Sequence, residues 1–108
     1  MSLDKINIIY DHEGYLKKID EWNENIAINL AKKENIFMTE QHWNIVYLLR
    51  SFYLKYNISP TMRMLSKIIS DKYGKEKASS LYLFKLFPKG ILNQATKISG
   101  IPKPNKCL

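Results

Sequence analysis

The sequence holds a single cysteine, Cys107, one residue before its last and preceded by Ile101-Pro-Lys-Pro-Asn-Lys106. With no second thiol in the chain it forms no internal disulfide, and chain ends lie at surfaces more often than in cores. The thiolate is the reactive species, and an unperturbed cysteine ionises near pH ~8.5. Lys103 and Lys106 favour the thiolate, the carboxylate of Leu108 opposes them, and salt screens both. No general base stands nearby in sequence. Such a thiol suits exchange chemistry, where a partner supplies the activation, better than independent catalysis. Pro102 and Pro104 stiffen the lead-in. At the polyproline II rise of about 3.1 Å per residue, residues 100–107 would reach on the order of 20 Å, enough to carry a thiol into a partner's cleft. The alternative is an ordinary tail with an incidental cysteine.

The other reactive side chains are weaker candidates. His12 and His42 stand apart, with no Cys, Asp or Glu at metal-ligand spacing, so no metal site is expected. His42 follows Thr39 by three residues and is placed to serve a helix start. There is no glycine-rich phosphate loop, and no cofactor is expected. Residues 40–56, a tight Asn57-Ile58 connection and residues 60–73 resemble a helix-turn-helix whose second helix carries Arg63, Lys67 and Lys72. That makes a small nucleic-acid-binding module the alternative function, with Arg63 and Lys67 as docking or RNA contacts. The face lacks a set of Asn, Gln and Arg for reading bases, so non-specific phosphate contact is the form it would take. Trp22, Trp43, Phe52, Phe84 and Phe87 read as core residues and not as a stacking platform.

These groups need a scaffold, and 108 residues provide one domain with one modest core. We divide it into a hairpin region over 1–20, a helical body over 21–99 and a flexible arm over 100–108. No apolar run approaches a membrane span, the first residues lack the features of a signal peptide, and one unpaired cysteine fits a reducing compartment; the expected location is the cytoplasm. Charge is polarised along the chain. Residues 1–49 carry five Lys and eight acidic residues, whereas residues 50–108 carry twelve basic residues and only Asp71 and Glu76 as acids. The second half therefore offers a positive surface to RNA or to an acidic protein, or else a solvated lysine face with no partner. Fifteen of the 17 basic residues are Lys, which an A/T-rich genome would also favour, so the formal charge of +7 overstates the signal.

The predicted fold is mainly α: a small orthogonal helical domain with a helix-turn-helix-like pair, a short N-terminal β-hairpin and an extended C-terminal arm. Ile6, Ile8, Ile9 and Tyr10 read as a strand, Asp11-His-Glu-Gly14 as a turn, and Tyr15-Leu16 as the start of the return strand. Asn23 caps a helix over 24–34, and Thr39 caps a longer one with Trp43, Val46, Tyr47, Leu49, Phe52 and Tyr53 on its apolar stripe. Ser59-Pro60 reads as the cap and first turn of the next, which buries Met62, Leu65, Ile68 and Ile69 and ends at a left-handed Gly74. A helix from Ser79 or Ser80 to Phe87 offers Leu81, Phe84 and Leu86 for burial. A short helix over 91–98 follows, and Gly100 stops it before the chain leaves the domain.

Several stretches together resemble the DsrC/TusE family of sulfur-carrier proteins over nearly the whole length. They are Glu13-Gly-Tyr-Leu16, Glu40-Gln-His-Trp43, Phe52-Tyr-Leu54, Ser59-Pro60 with Arg63-Met-Leu65, Tyr82-Leu-Phe-Lys-Leu-Phe-Pro-Lys-Gly90, and Gln94-Ala-Thr-Lys-Ile98 leading to Gly100-Ile-Pro-Lys-Pro104 and Cys107. The resemblance implies a sulfurtransferase whose Cys107 receives a sulfane sulfur as a persulfide from a TusBCD-like complex. The sulfur then passes to an MnmA-like tRNA 2-thiouridylase, with tRNA bound, for wobble-uridine thiolation. One branch of the family partners a sulfite reductase and carries a second cysteine eleven residues before the terminal one. Here that position is Thr96, which disfavours that role and points to the tRNA-thiolating branch.

Overall fold

The computed structural model describes residues 8–104. Five α-helices make up the body: α1 (Glu24–Lys33), α2 (Glu40–Tyr56), α3 (Met62–Tyr73), α4 (Ser80–Leu86) and α5 (Ile91–Ile98), with 3-10 turns at Ile19–Glu21 and Lys75–Ala78. The last helix is the centre of the assembly, packed on α1, α2 and α4. Its inward residues Ile91, Ala95 and Ile98 meet Leu30, Val46, Leu49 and Phe87 in one continuous core.

Helix starts follow the local side-chain chemistry. The N-terminal N–H groups of a helix have no partner within it, and at α1 the Asn23 side chain accepts the Ile26 N–H at 2.9 Å. This helix then buries Ile26, Ala27, Leu30 and Ala31. Ser79 does the same for α4, accepting from the Tyr82 N–H at 3.2 Å. At α2 the third helical residue closes the cap: the Thr39 N–H donates to His42 Nδ1 at 3.1 Å, and Thr39 Oγ1 lies 2.8 Å from the same nitrogen. On its other side His42 Nε2 is 2.8 Å from the Leu86 carbonyl, which only accepts, so Nε2 carries the ring proton. His42 is thus a neutral linchpin between α2 and α4, with the Phe87 ring edge-on at 5.1 Å.

Burial holds the His42 pKa below its ordinary value, with the Leu86 carbonyl opposing in part. The folded state therefore binds a proton less readily than the unfolded chain. Stability is full above the unfolded-state pKa of about 6.5 and is lost as pH falls through the lower folded value. Thermal melts between neutral pH and about pH 5 should show a falling midpoint, and His42→Gln should flatten that slope.

Three expectations need correction. Among the described residues there is no N-terminal hairpin, only a single antiparallel bridge between Tyr10 and Leu16; Ile6 lies outside them. The Asp11 carboxylate accepts the Glu13 and Tyr15 N–H groups at 2.8 and 2.9 Å, closing a local turn. Adjacent Tyr15 and Leu16 are both buried, where a strand would send them to opposite faces. The second correction is at α3: Thr61, not Ser59, is its cap, accepting from the Met64 N–H at 3.2 Å, and Pro60 precedes the helix. Met62 is exposed, while Leu65 and Ile69 are buried as expected. Gly74 ends α3 at positive φ, but its ψ of 156° is outside the left-handed helical region.

The third correction concerns α4. Leu81 and Phe84 are 68% and 61% exposed, and burial falls on Leu83 and Phe87. A seven-residue helix has too few turns for its apolar spacing to single out one face, and the contact with α5 selects it. Phe84 is therefore not a core residue. Trp22, Trp43 and Phe52 are half-buried.

Candidate functional site

The end of α5 sets where the arm begins. Gly100 has φ of 72°; its N–H donates to the Lys97 carbonyl at 3.1 Å, and the Ile101 N–H reaches back to Thr96 at 3.3 Å. This is the Schellman arrangement, in which a left-handed residue just past the helix lets two N–H groups satisfy its last carbonyls. Side chains complete it. Ser99 Oγ donates to the Thr96 carbonyl at 3.0 Å, Trp22 Nε1 to Ile98 at 2.9 Å, and Arg50 Nη1 to Ser99 at 2.9 Å. The Arg50 guanidinium also lies 4.1 Å above the Trp22 ring. Burial lowers its pKa from the ordinary value, but an arginine stays charged.

Residues 100–103 do not leave the domain. Ile101 is fully buried, Ser59 Oγ donates to the Pro102 carbonyl at 2.6 Å, and Lys103 Nζ pairs with Glu13 at 2.7 Å. That last bond lowers the Glu13 pKa and raises that of Lys103. Being exposed and screened, it guides the chain more than it holds it. Pro102 is exposed and Pro104 half-buried. Lys106 and Cys107 lie outside the described residues.

Thr96 is fully buried. Its hydroxyl donates to the Leu92 carbonyl, and the Tyr15 hydroxyl lies 3.3 Å away while donating to Asn93 at 3.3 Å. Beside it, Glu34 ties α1 to α5, accepting from Gln94 Nε2 at 3.0 Å and Lys97 Nζ at 3.1 Å. Burial alone would raise the Glu34 pKa, but those two partners outweigh it and the net shift is downward.

Arg63 and Lys67 are exposed on α3, away from these bonds; Lys67 lies 3.5 Å from Asp71. They follow Ser59 in sequence, and Ser59 holds the arm. His12 is exposed in the turn after Asp11. Sequence reasoning missed Trp22, Arg50 and Ser59 as anchors of the arm. The available signal was Arg50 itself, one of two arginines in a chain of lysines and set within the apolar stripe of a helix. Among the described residues no helix is long and apolar enough to cross a membrane.

Comparison with known proteins agrees with this geometry. The family model described as "DsrC like protein" matches residues 2–108. Sulfurtransferase TusE of Buchnera aphidicola from Acyrthosiphon pisum is 55% identical over 102 residues, spanning 94% of this chain and 90% of that protein. Sulfurtransferase TusE of Escherichia coli is 50% identical over 98 residues, spanning 91% and 90%. The solution structure of Allochromatium vinosum DsrC superposes with a TM-score of 0.89 at 41% identity, covering 100% of this chain and 96% of that one. The oxidized γ-subunit of dissimilatory sulfite reductase from Archaeoglobus fulgidus gives 0.82 at 36% identity, covering 94% and 92%. From the seated arm base, the buried Thr96 and these matches, the chain belongs to the DsrC-like family and groups with its TusE sulfurtransferases.

Proposed function

We propose that the chain is a sulfur carrier in tRNA thiolation, with Cys107 as the persulfide site. The supporting observation is the anchored exit: Ile101 is buried, Ser59 holds the Pro102 carbonyl and Lys103 is guided by Glu13, and Cys107 is three residues beyond Pro104. Its Cα then lies within about 11 Å of that of Pro104 on any path. This is roughly half the reach expected of a tether starting at Gly100. Thr96 leaves Cys107 as the chain's only thiol, which removes the intramolecular disulfide and disfavours the sulfite-reductase role.

The chemistry balances without a redox partner. The Cys107 thiolate attacks the outer sulfur of a persulfide on a TusBCD-like donor, an S–S bond forms, and the donor's thiolate leaves. A thiolate on an MnmA-like thiouridylase then attacks the same outer sulfur and Cys107 leaves as thiolate, in the manner of disulfide exchange. Reducing cytoplasm keeps the carrier thiol free between cycles. Incubation with the donor complex should add one sulfur atom per chain by intact mass, removable by a thiol reductant. Alkylating the chain beforehand should prevent the addition, and sulfur taken up after alkylation would refute the assignment.

A further inference from the structure

An apolar groove of about 340 Å³ opens between α2 and α3, lined by Phe52, Tyr56, Ile58, Met64 and Ile68 with Lys67 and Asp71 at its edge. A second cavity of about 220 Å³, sharing Phe52, Tyr56 and Ile68, extends it along α2 to Lys55. Two lining residues stand open to solvent, Tyr56 at 53% and Ile58 at 52%. A sizeable open apolar patch of this kind marks an interaction surface more often than a neutral stretch of exterior.

Three observations identify the occupant. First, no buried side-chain nitrogen or oxygen among the described residues lacks a hydrogen-bond partner. The charged groups lining the groove, Lys67 and Asp71, are paired with each other at 3.5 Å and do not form a convergent set of the sort that orients a small ligand. Second, the charged rim is Lys55 and Lys67 against Asp71, a net positive edge. The Phe52 and Tyr56 rings lie against each other at 4.8 Å, which leaves them engaged and not spread as a platform for bases. Third, the groove adjoins the arm. Ile58 lines it, and the next residue, Ser59, holds the Pro102 carbonyl at 2.6 Å.

We infer that this groove is the docking site for the protein that exchanges sulfur with Cys107, which inserts an amphipathic segment with apolar side chains flanked by Asp or Glu. The inference rests on the carrier reading. It assigns the body a role that the thiol does not perform: the groove holds the partner while the arm, leaving from the adjacent residue, delivers the sulfur. An apolar anchor inside a charged rim is the usual layout of a helix-in-groove contact.

Met64 offers a variant that is safe for the fold. It is the third residue of α3, and its Sδ accepts the Thr61 N–H at 3.5 Å while Thr61 Oγ1 caps its own N–H. Met64→Glu converts this into a Thr-x-x-Glu capping box, a favourable helix start, and places a carboxylate on the groove wall. Met64→Gln keeps the box without the charge. The purified full-length chain is titrated against the donor complex and against the thiouridylase, and its loading by inorganic polysulfide is measured separately. The expected result is unchanged polysulfide loading, with affinity for at least one protein partner reduced about tenfold or more by Met64→Glu and by Ile58→Asp, and less by Met64→Gln. Unchanged affinity for both partners overturns the inference. So does weakening confined to naked tRNA, which would make the groove an RNA surface. Because binding is read without sulfur, failure of the carrier reading shows separately, as a wild-type chain that binds but takes up no sulfur.

Discussion

Replacing Cys107 by serine should abolish sulfur loading and delivery, leaving the uncatalysed background rate. A total loss is expected because the proposed carried species is held by an S–S bond. A serine hydroxyl is not ionised near neutral pH and does not displace a thiolate from a persulfide, whereas a cysteine near its free pKa of about 8.5 is several per cent thiolate. The fold should not register the change. Among the described residues the core runs from Tyr15 to Ile101, and a substitution that touches no core contact shifts stability by about 0.5 kcal/mol or less. The check is a pair of measurements on one sample: intact mass after exposure to the donor complex, and a thermal melt. A serine variant that still gains sulfur would move the site elsewhere. A variant that neither loads nor melts like the parent would make the cysteine structural.

Gly100→Ala has the largest expected effect on stability, about 2–4 kcal/mol. Two costs add. An alanine held at φ of 72° occupies a region that L-residues avoid. Its Cβ would also lie 2.5 Å from Trp22 Cδ1 and 3.2 Å from Leu16 Cδ2. The indole has little room to yield, since Nε1 is bonded to the Ile98 carbonyl and Arg50 lies over the ring. For a domain of this size the melting midpoint should fall by about 10–25 °C. Below the transition the variant should still load from polysulfide but transfer more slowly between proteins, because the base of the arm has turned. A melt within a few degrees of wild type would mean that the indole swings aside and the exit is softer than its bonds suggest.

Where the decisive interaction is local, the sequence was readable. Asn23 and Thr39 cap the helices expected of them because a cap is settled within four residues, and Gly100 ends α5 for the same reason. His42 was placed correctly at its helix start, but its second bond, to the Leu86 carbonyl 44 residues away, lay beyond a local reading. Ser59 was misassigned because two capping residues, Ser59 and Thr61, flank one proline, and the pull of Pro102 on Ser59 decides between them. The face of α4 and the loss of the hairpin are likewise tertiary outcomes: packing against α5 chose Leu83 over Leu81, and burial of both Tyr15 and Leu16 overrode strand alternation. For the candidate site, Cys107 was identifiable from its position and from the resemblance. Of the indole, guanidinium and hydroxyl that hold the arm base, only Arg50, an arginine set in an apolar stripe, left a signal, and even that does not name residues 98–102 as the contact.

The sealed turn after α5 also governs what happens when the protein is nicked. Every carbonyl from Thr96 to Ser99, and that of Pro102, has a donor, so a protease trimming the final residues meets resistance at Ile101, whose side chain is embedded in the core. Digestion from the C-terminus should stall there and leave a folded remnant without Cys107. Under the carrier reading such a remnant would compete with intact chains for the same partners, lowering sulfur flux in proportion to its share of the pool.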